Sequence, residues 1–187
     1  MGLRDTLRLV TQLDPNKYGT AYGLTSLLPV LPGHEDELEA HLQSLDPLAS
    51  PFGALGQLHF TRLLVIRDLV YQGPPQVPEH LDQAYLVWTT SHDGELEPLL
   101  RAVAALPEAG AIFGHCAGYA SEPGAFAAWV ASHRKDNGYL LTPWPFKRVE
   151  DVKEALRVQD GFAGLVENAR GMSDAELQAA FQALMRS

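Results

Sequence analysis

The feature that most constrains the fold is QLHFTRLLVIRD, residues 57–68, which predicts a β-strand. Side chains of a strand alternate between its two faces. Apolar residues occupy both faces here: Leu58, Phe60, Leu64 and Ile66 on one, Leu63 and Val65 on the other. Because a solvated face alternates with polar residues, both faces should be covered. A second subunit would cover the outer face most simply, and helices at the C-terminal end of this chain are the alternative.

The segments around this strand predict an α+β fold. Further strands are expected at 21–31, 83–90 and 138–144. Apolar residues at helical spacing predict helices at 34–45, after 94, and at 124–134. The resulting order β-α-β-β-α-β is that of a ferredoxin-like antiparallel sheet with helices on one face.

The chain length suits one domain over residues 1–187. Within it we expect an N-terminal helix at 1–15, a ferredoxin-like core at 20–145, and C-terminal helices at 148–187. The last helix carries a capping box, Ser173 with Glu176.

Charge and composition exclude several functional classes. The net charge of −9 leaves no broad basic surface for nucleic acid. No apolar run approaches the roughly 20 residues that a membrane span needs. The single cysteine cannot form an internal disulfide, which predicts a reducing, cytoplasmic location.

Three segments carry a resemblance to a known superfamily: LHFTRLLVI, TTSHDGELEPLL and FGHCAGY. With the element order, they resemble the dimeric α+β barrel superfamily, near a group of bacterial proteins of unassigned function. A distant likeness to dye-decolorising peroxidases rests on SHDG, although Thr90 stands where their first glycine belongs. The resemblance implies a homodimer and a small-molecule oxidoreductase that is haem- or peroxide-linked, with a pocket at the sheet face.

Arg62 is the first candidate site residue, because it shares its strand face with apolar side chains. A guanidinium in such a place needs an acid partner or a ligand, since an unpaired buried charge is very costly. Arg62 is thus either a structural ion pair or a clamp for an anion. His59, on the same strand, is interpreted as a structural histidine with a satisfied hydrogen bond.

Asp93 and His92 lie where the strand at 83–90 leads into the next helix. Asp93 is predicted to be the N-cap of that helix, accepting backbone N–H bonds. His92 is expected either to look into the covered side of the sheet or to sit at the exposed end of the strand.

His133 continues the apolar face of the helix at 124–134. It is either a hydrogen-bonded core residue or, if a haem is bound, the axial ligand. The seven histidines show no metal-binding spacing, and no metal site is assigned. Any cluster of His59, His92, His115 and His133 would have to be assembled by the fold.

The segment GHCAGY, residues 114–119, holds Cys116. No cysteine-enzyme motif surrounds it, so Cys116 is predicted to be a buried small hydrophobe. The glycines predict close packing and a turn with positive φ. His115 and Tyr119 are candidate residues of a pocket beside the turn.

Two functions follow. The first is a small-molecule enzyme with Arg62, His133, His115 and Tyr119 around a cavity. The second is a non-catalytic ligand-binding or assembly module whose polar residues satisfy one another.

Overall fold

The structure is a computed structural model that describes residues 14–142 and 144–185. The chain divides into two compact units between Phe146 and Lys147, and each has its own architecture. Most of the predicted N-terminal helix, residues 1–13, lies outside the described residues, and Pro15 lies in a turn. The single domain over 1–187 stays a prediction.

The first unit is built on a five-stranded antiparallel sheet. Its long strands are β2 (Ala21–Pro29), β3 (Leu58–Ile66) and β4 (Tyr85–Asp93), with β4 between the other two. Two short strands, β1 (Lys17–Tyr18) and β5 (Arg134–Lys135), pair with the other edge of β2. The predicted α+β class is confirmed.

Four helices of the first unit accompany this sheet. Helix α1 (Glu35–Ser44) lies between β2 and β3, followed by two 3₁₀ turns at 47–49 and 51–54. Helices α2 (Leu96–Ala104), α3 (Ala109–Phe113) and α4 (Pro123–Ser132) follow β4. Their apolar side chains form one core with the inner face of the sheet, where Leu24, Leu28, Leu86 and Trp88 are buried.

Trp88 lies in this core. Its ring centroid is 5.0 Å from that of Phe113 and 6.4 Å from that of Phe126. The buried indole Nε1–H donates to Thr61 Oγ1 at 3.0 Å, so its polar atom is satisfied. Thr61 therefore belongs to the inner face of β3, and the residues that flank it belong to the outer face.

A β-bulge corrects the predicted facing of β3. The register with β4 shifts between Leu58 and Phe60, so that Leu58 pairs with His92 and Phe60 pairs with Ser91. The extra residue changes the alternation, and Leu58 packs on the core together with Leu63 and Val65. Placing Leu58 on the face of Phe60 was therefore wrong.

The predicted strand at 138–144 is also wrong. No described residue of that range is in a strand, and the last pair of the ladder joins Thr25 to Lys135. Gly138 has a φ of 68°, a left-handed conformation outside the β region. The chain turns there instead of continuing along β2.

The second unit contains two helices, α5 (Val149–Asn168) and α6 (Asp174–Leu184). The predicted capping box is confirmed, since the backbone N–H of Glu176 donates to Ser173 Oγ and the Ser173 N–H donates to Glu176 Oε2. Among the helices of the described residues, none has the length and hydropathy needed to cross a membrane.

Candidate functional site

The outer face of the sheet carries a row of polar side chains across four strands. Arg62 lies opposite Thr89, Thr89 lies opposite Thr25, and Thr25 lies opposite Lys135. Directly opposed residues share a face and have Cβ atoms about 5 Å apart. Two cations therefore stand at the ends of a row that has two hydroxyl groups between them. We call these four residues the polar row.

Apolar side chains border the polar row on the same face. On one side, Leu64, Val87 and Leu27 form a parallel row across β3, β4 and β2. These three residues are half-buried. On the other side, the Phe60 side chain is 56% exposed, which is high for a phenylalanine on a sheet. The face thus combines cationic and hydroxyl groups with an apolar surface.

The segment after β5 forms one wall of this face. The Thr25 hydroxyl is hydrogen-bonded to the Asn137 side chain. A Cβ atom on Gly23 would lie 2.7 Å from Asn137 Nδ2 and 3.0 Å from Leu140 Cδ1. A side chain at this position would push the ends of Asn137 and Leu140 aside, so Gly23 allows the wall to lie close against β2.

Arg62 has no acid partner among the described residues. Arg62 is exposed, and the described ion pairs involve other basic residues. The structural ion pair that the sequence offered as one interpretation is therefore not found in this part of the chain. The nearest acid along the outer face of β4 is Asp93 at the strand end, and it pairs with His59.

Asp93 does not cap the following helix, and this prediction was wrong. The N-cap of α2 is Glu95, which makes no side-chain cap hydrogen bond. Asp93 is still the last residue of β4, and its Oδ1 lies 3.0 Å from His59 Nε2. His59 is thus a partnered histidine, as expected, and it lies at the β-bulge.

His92 is fully buried on the inner face of the sheet. Of the two predicted positions for His92, the covered side of the sheet is therefore correct and the exposed end of the strand is not. Its Nδ1 lies 3.0 Å from Thr90 Oγ1, while Nε2 is buried without a hydrogen-bond partner in the described residues. Burial lowers the pKa of His92 from 6.5 to about 4; nearby Asp93 acts to raise this pKa, and His59 acts in the same direction as burial. His92 is therefore neutral at physiological pH.

His115 contacts His34, a residue that the sequence did not single out. Their Nδ1 atoms are 3.1 Å apart, and the ring centroids are 5.3 Å apart. A Glu37 carboxylate oxygen is the third member, and the ligand atoms of all three residues lie within 4.8 Å of one another. We call His34, Glu37 and His115 the two-histidine cluster; a metal ion is the cofactor that these groups could hold.

Tyr119 and His133 belong to a separate aromatic cluster around Trp129. The Tyr119 and His133 rings lie 6.0 Å and 5.8 Å from the Trp129 ring, both edge-on. His133 is the C-cap of α4, and its Nδ1–H donates to the Trp129 carbonyl at 2.9 Å. Trp129 in turn donates to the Ala117 carbonyl.

Cys116 is buried, as predicted. Its side chain is part of the core, and burial raises the pKa of the thiol from 9.0 to about 12. The turn beside it is confirmed too, since Gly118 has a φ of 76°. The thiol at this position is a packing group.

The described contacts do not gather the four sequence-predicted site residues in one place. Arg62 lies on the outer face of the sheet, His115 is in the two-histidine cluster, and Tyr119 and His133 contact Trp129. The sequence analysis missed His34 and Glu37, although their i, i+3 spacing at the start of α1 places them on one helix face. It also missed Thr25, Thr89 and Lys135, because cross-strand register is not visible in sequence.

Comparison of the chain with models of protein families, with curated proteins and with solved structures finds no match.

Proposed function

We propose that this protein binds a small organic anion on the outer face of its sheet, with Arg62 contacting the anionic group. The observation that carries this proposal is that Arg62 has no acid partner among the described residues, although apolar side chains border it on the same face. A guanidinium binds a carboxylate or phosphate through two parallel hydrogen bonds. The chain as a whole is acidic, with a net charge of −9. The presence of two cations in one row, Arg62 and Lys135, is a local exception to this acidity.

The shape of the ligand follows from the neighbours of Arg62. Thr89, with its hydroxyl group, lies opposite Arg62, and Thr25 lies one strand further along the row. Hydroxyl groups accept or donate hydrogen bonds. The apolar row Leu64, Val87 and Leu27 is adjacent, so the ligand has an apolar body next to its charged group. Pockets for small molecules typically combine a mostly apolar lining with a few polar groups that fix orientation.

A second copy of the chain is the proposed cover of this face. In support, strands β5, β2, β4 and β3 are neighbours in that order, as a ferredoxin-like sheet would have them, and the four helices of the first unit pack on the inner face. β3 lies at the edge of the sheet, and some of its apolar side chains lie on the outer face. Proteins normally cover an apolar edge strand of this kind. We retain the dimeric α+β barrel superfamily as the proposed relationship.

For the reaction we propose an oxidoreductase, with haem as the cofactor to be tested. His133 fits an axial ligand in one respect: its Nδ1–H is held by the Trp129 carbonyl, which leaves the Nε2 lone pair available. A Soret band in protein purified with haem, lost in His133→Ala, would support this reaction class. No band at any haem concentration would remove it.

A non-catalytic ligand-binding or assembly module is the second candidate. It is favoured by the separation of Arg62 from His115, Tyr119 and His133, since an enzyme gathers its reactive groups around the substrate. Under this candidate the anion still binds at the polar row, and no turnover accompanies binding.

Calorimetric titration with benzoate and hexanoate tests the anion site, and the neutral amides benzamide and hexanamide are the matched probes. The carboxylates should bind and the amides should not. Arg62→Leu should weaken carboxylate binding at least tenfold, because a hydrogen bond to a charged group contributes about 1.5–3 kcal/mol. Arg101→Leu, on α2, is the matched control and should bind as the native protein does.

Two results would refute the anion site: no binding of either carboxylate, or undiminished binding by Arg62→Leu. Folding is checked by melting. Arg62→Leu strands no described acid, so its free energy of unfolding should stay within about 0.5 kcal/mol of the native value. A loss of several kcal/mol would mean that Arg62 is a structural ion pair after all.

A further inference from the structure

The two-histidine cluster brings together three metal-ligating groups from two distant parts of the chain. His34 is the N-cap of α1 and Glu37 lies in its first turn, while His115 follows α3. The two imidazoles are separated by 81 residues in sequence, yet their Nδ1 atoms are 3.1 Å apart. Neither the open sheet face nor Arg62 is part of this cluster.

Backbone hydrogen bonds hold both histidines to the end of β2. Leu31 N donates to the His115 carbonyl, and Ala117 N donates to the Pro29 carbonyl, both at 2.8 Å. His34 N donates to the Leu31 carbonyl at 3.0 Å. Both ligand-bearing segments are therefore anchored to the same few residues, and their approach does not depend on a flexible loop.

The distance between the imidazoles suits a shared cation. A tetrahedral ion with metal–nitrogen bonds of about 2.05 Å holds two ligand nitrogens about 3.3 Å apart. The observed 3.1 Å requires an adjustment of only a few tenths of an ångström. The alternative is a hydrogen bond in which one ring donates its Nδ1 proton to the other.

Glu37 distinguishes the cluster from a simple pair of rings. A carboxylate oxygen of Glu37 lies within 4.8 Å of a ligand nitrogen of each histidine, and Glu37 makes no hydrogen bond or ion pair with another described residue. Two other acids of α1, Asp36 and Glu39, are paired with Arg67. The positive end of the helix dipole disfavours a cation at the N-terminus of α1. The negative charge of Glu37 offsets this effect.

We propose that His34 Nδ1, His115 Nδ1 and the Glu37 carboxylate bind one divalent transition-metal ion, such as Zn²⁺. Imidazole nitrogen selects Zn²⁺, Ni²⁺, Cu²⁺ and Co²⁺, whereas Mg²⁺ and Ca²⁺ require oxygen ligands. Three protein ligands leave a fourth position for water or a small ligand. The exposure of Glu37 and the partial exposure of both histidines keep this position accessible.

Calorimetric titration of the full chain, freed of metal by a chelator, tests the site with Zn²⁺ and Co²⁺. One equivalent of either ion should bind, and bound Co²⁺ should give the visible absorption of a four-coordinate site. Mg²⁺ should not compete. His34→Ala and His115→Ala should each weaken Zn²⁺ binding at least tenfold, and Glu37→Gln should weaken it by a smaller factor.

The matched controls are His80→Ala, which removes an exposed histidine, and Glu35→Gln, which removes a neighbouring acid of α1. Both should bind Zn²⁺ as the native chain does, and circular dichroism should show every variant folded. Equal loss of binding in the controls, or native affinity in both His34→Ala and His115→Ala, would overturn the site. Carboxylate binding by Arg62 is measured separately, so either proposal can fail alone.

Discussion

His59 Nε2 lies 3.0 Å from Asp93 Oδ1 and joins the bulge of β3 to the last residue of β4. Both side chains are mostly shielded from water, with 22% and 15% of their surface exposed. A bulge interrupts the backbone ladder, and this side-chain contact joins the two strands at that place. The pair thereby stabilises the register that turns Leu58 toward the core.

The first prediction concerns this pair. His59→Ala and Asp93→Ala should each lower the free energy of unfolding, by about 1–2 kcal/mol, and the double variant should lose less than the sum. Denaturant unfolding of the four proteins gives the coupling energy directly. Strict additivity would show that the 3.0 Å contact contributes nothing to stability.

The second prediction concerns His92 and pH. Its pKa is lowered by burial from 6.5 unfolded to about 4 folded, so the unfolded chain binds the proton more readily. Stability from this group is therefore fully present above about pH 6.5 and is lost as pH falls toward 4, by up to about 3 kcal/mol. Denaturant unfolding at intervals between pH 7.5 and 4.5 measures this loss.

His92→Phe is the variant that isolates this contribution, because it keeps a ring at the stacking position beside Tyr22 and cannot titrate. Its stability should fall less steeply over the same pH range than that of the native chain. Parallel curves for the two proteins would mean that the imidazole is solvated.

The third prediction concerns Cys116. Because the thiol is buried, a thiol reagent should label the native protein slowly and the unfolded protein rapidly. Cys116→Ser should lower the free energy of unfolding by about 1–3 kcal/mol, since it buries a hydroxyl group. Rapid labelling of the native protein at neutral pH would contradict the packed position.

The thiol also predicts a loss of stability at high pH. Its pKa is raised from 9.0 to about 12 in the folded chain, so the unfolded chain releases the proton first. Stability from the protonated thiol is present below pH 9 and decreases as pH rises from about 9 toward 12. The stability of Cys116→Ala should therefore decrease less than that of the native chain over this pH range. An equal decrease in the variant would mean that another group causes it.

The fourth prediction concerns assembly through the outer sheet face. Sedimentation at micromolar concentration should give twice the chain mass of 20.4 kDa. Val87→Lys places a charge in the middle of the apolar row and should produce a monomer. Leu48→Lys, at a side chain that is 96% exposed, is the control and should remain dimeric. A native chain that sediments as a monomer would remove the proposed dimer.

Local patterns in the sequence were sufficient for several features. Short apolar runs bounded by turn residues located β2, β3 and β4, because a run of that length is a local property of the chain. The capping box at Ser173 involves residues only three apart, and the packed position of Cys116 follows from its small, weakly polar side chain among glycines. None of these depends on a distant partner.

Other features depend on contacts between distant residues. The bulge that moves Leu58 to the core is set by the pairing of β3 with β4, and the end of the ladder at Lys135 is set by how the chain leaves β2. The local pattern of apolar residues does not show which strands pair or in what register. The prediction from that pattern therefore placed Leu58 on the wrong face and a strand at 138–144.

Both candidate sites are of this second kind. Arg62, Thr89, Thr25 and Lys135 form a row only because four strands pair in one register. His34 and His115 meet only because residues 29–31 hold both of their segments. The sequence by itself determined the three long strands and the residue types available for chemistry, since those follow from local periodicity and composition. Tertiary structure alone decided which of those residues lie together, because strand pairing and helix packing set distances between residues far apart in the chain.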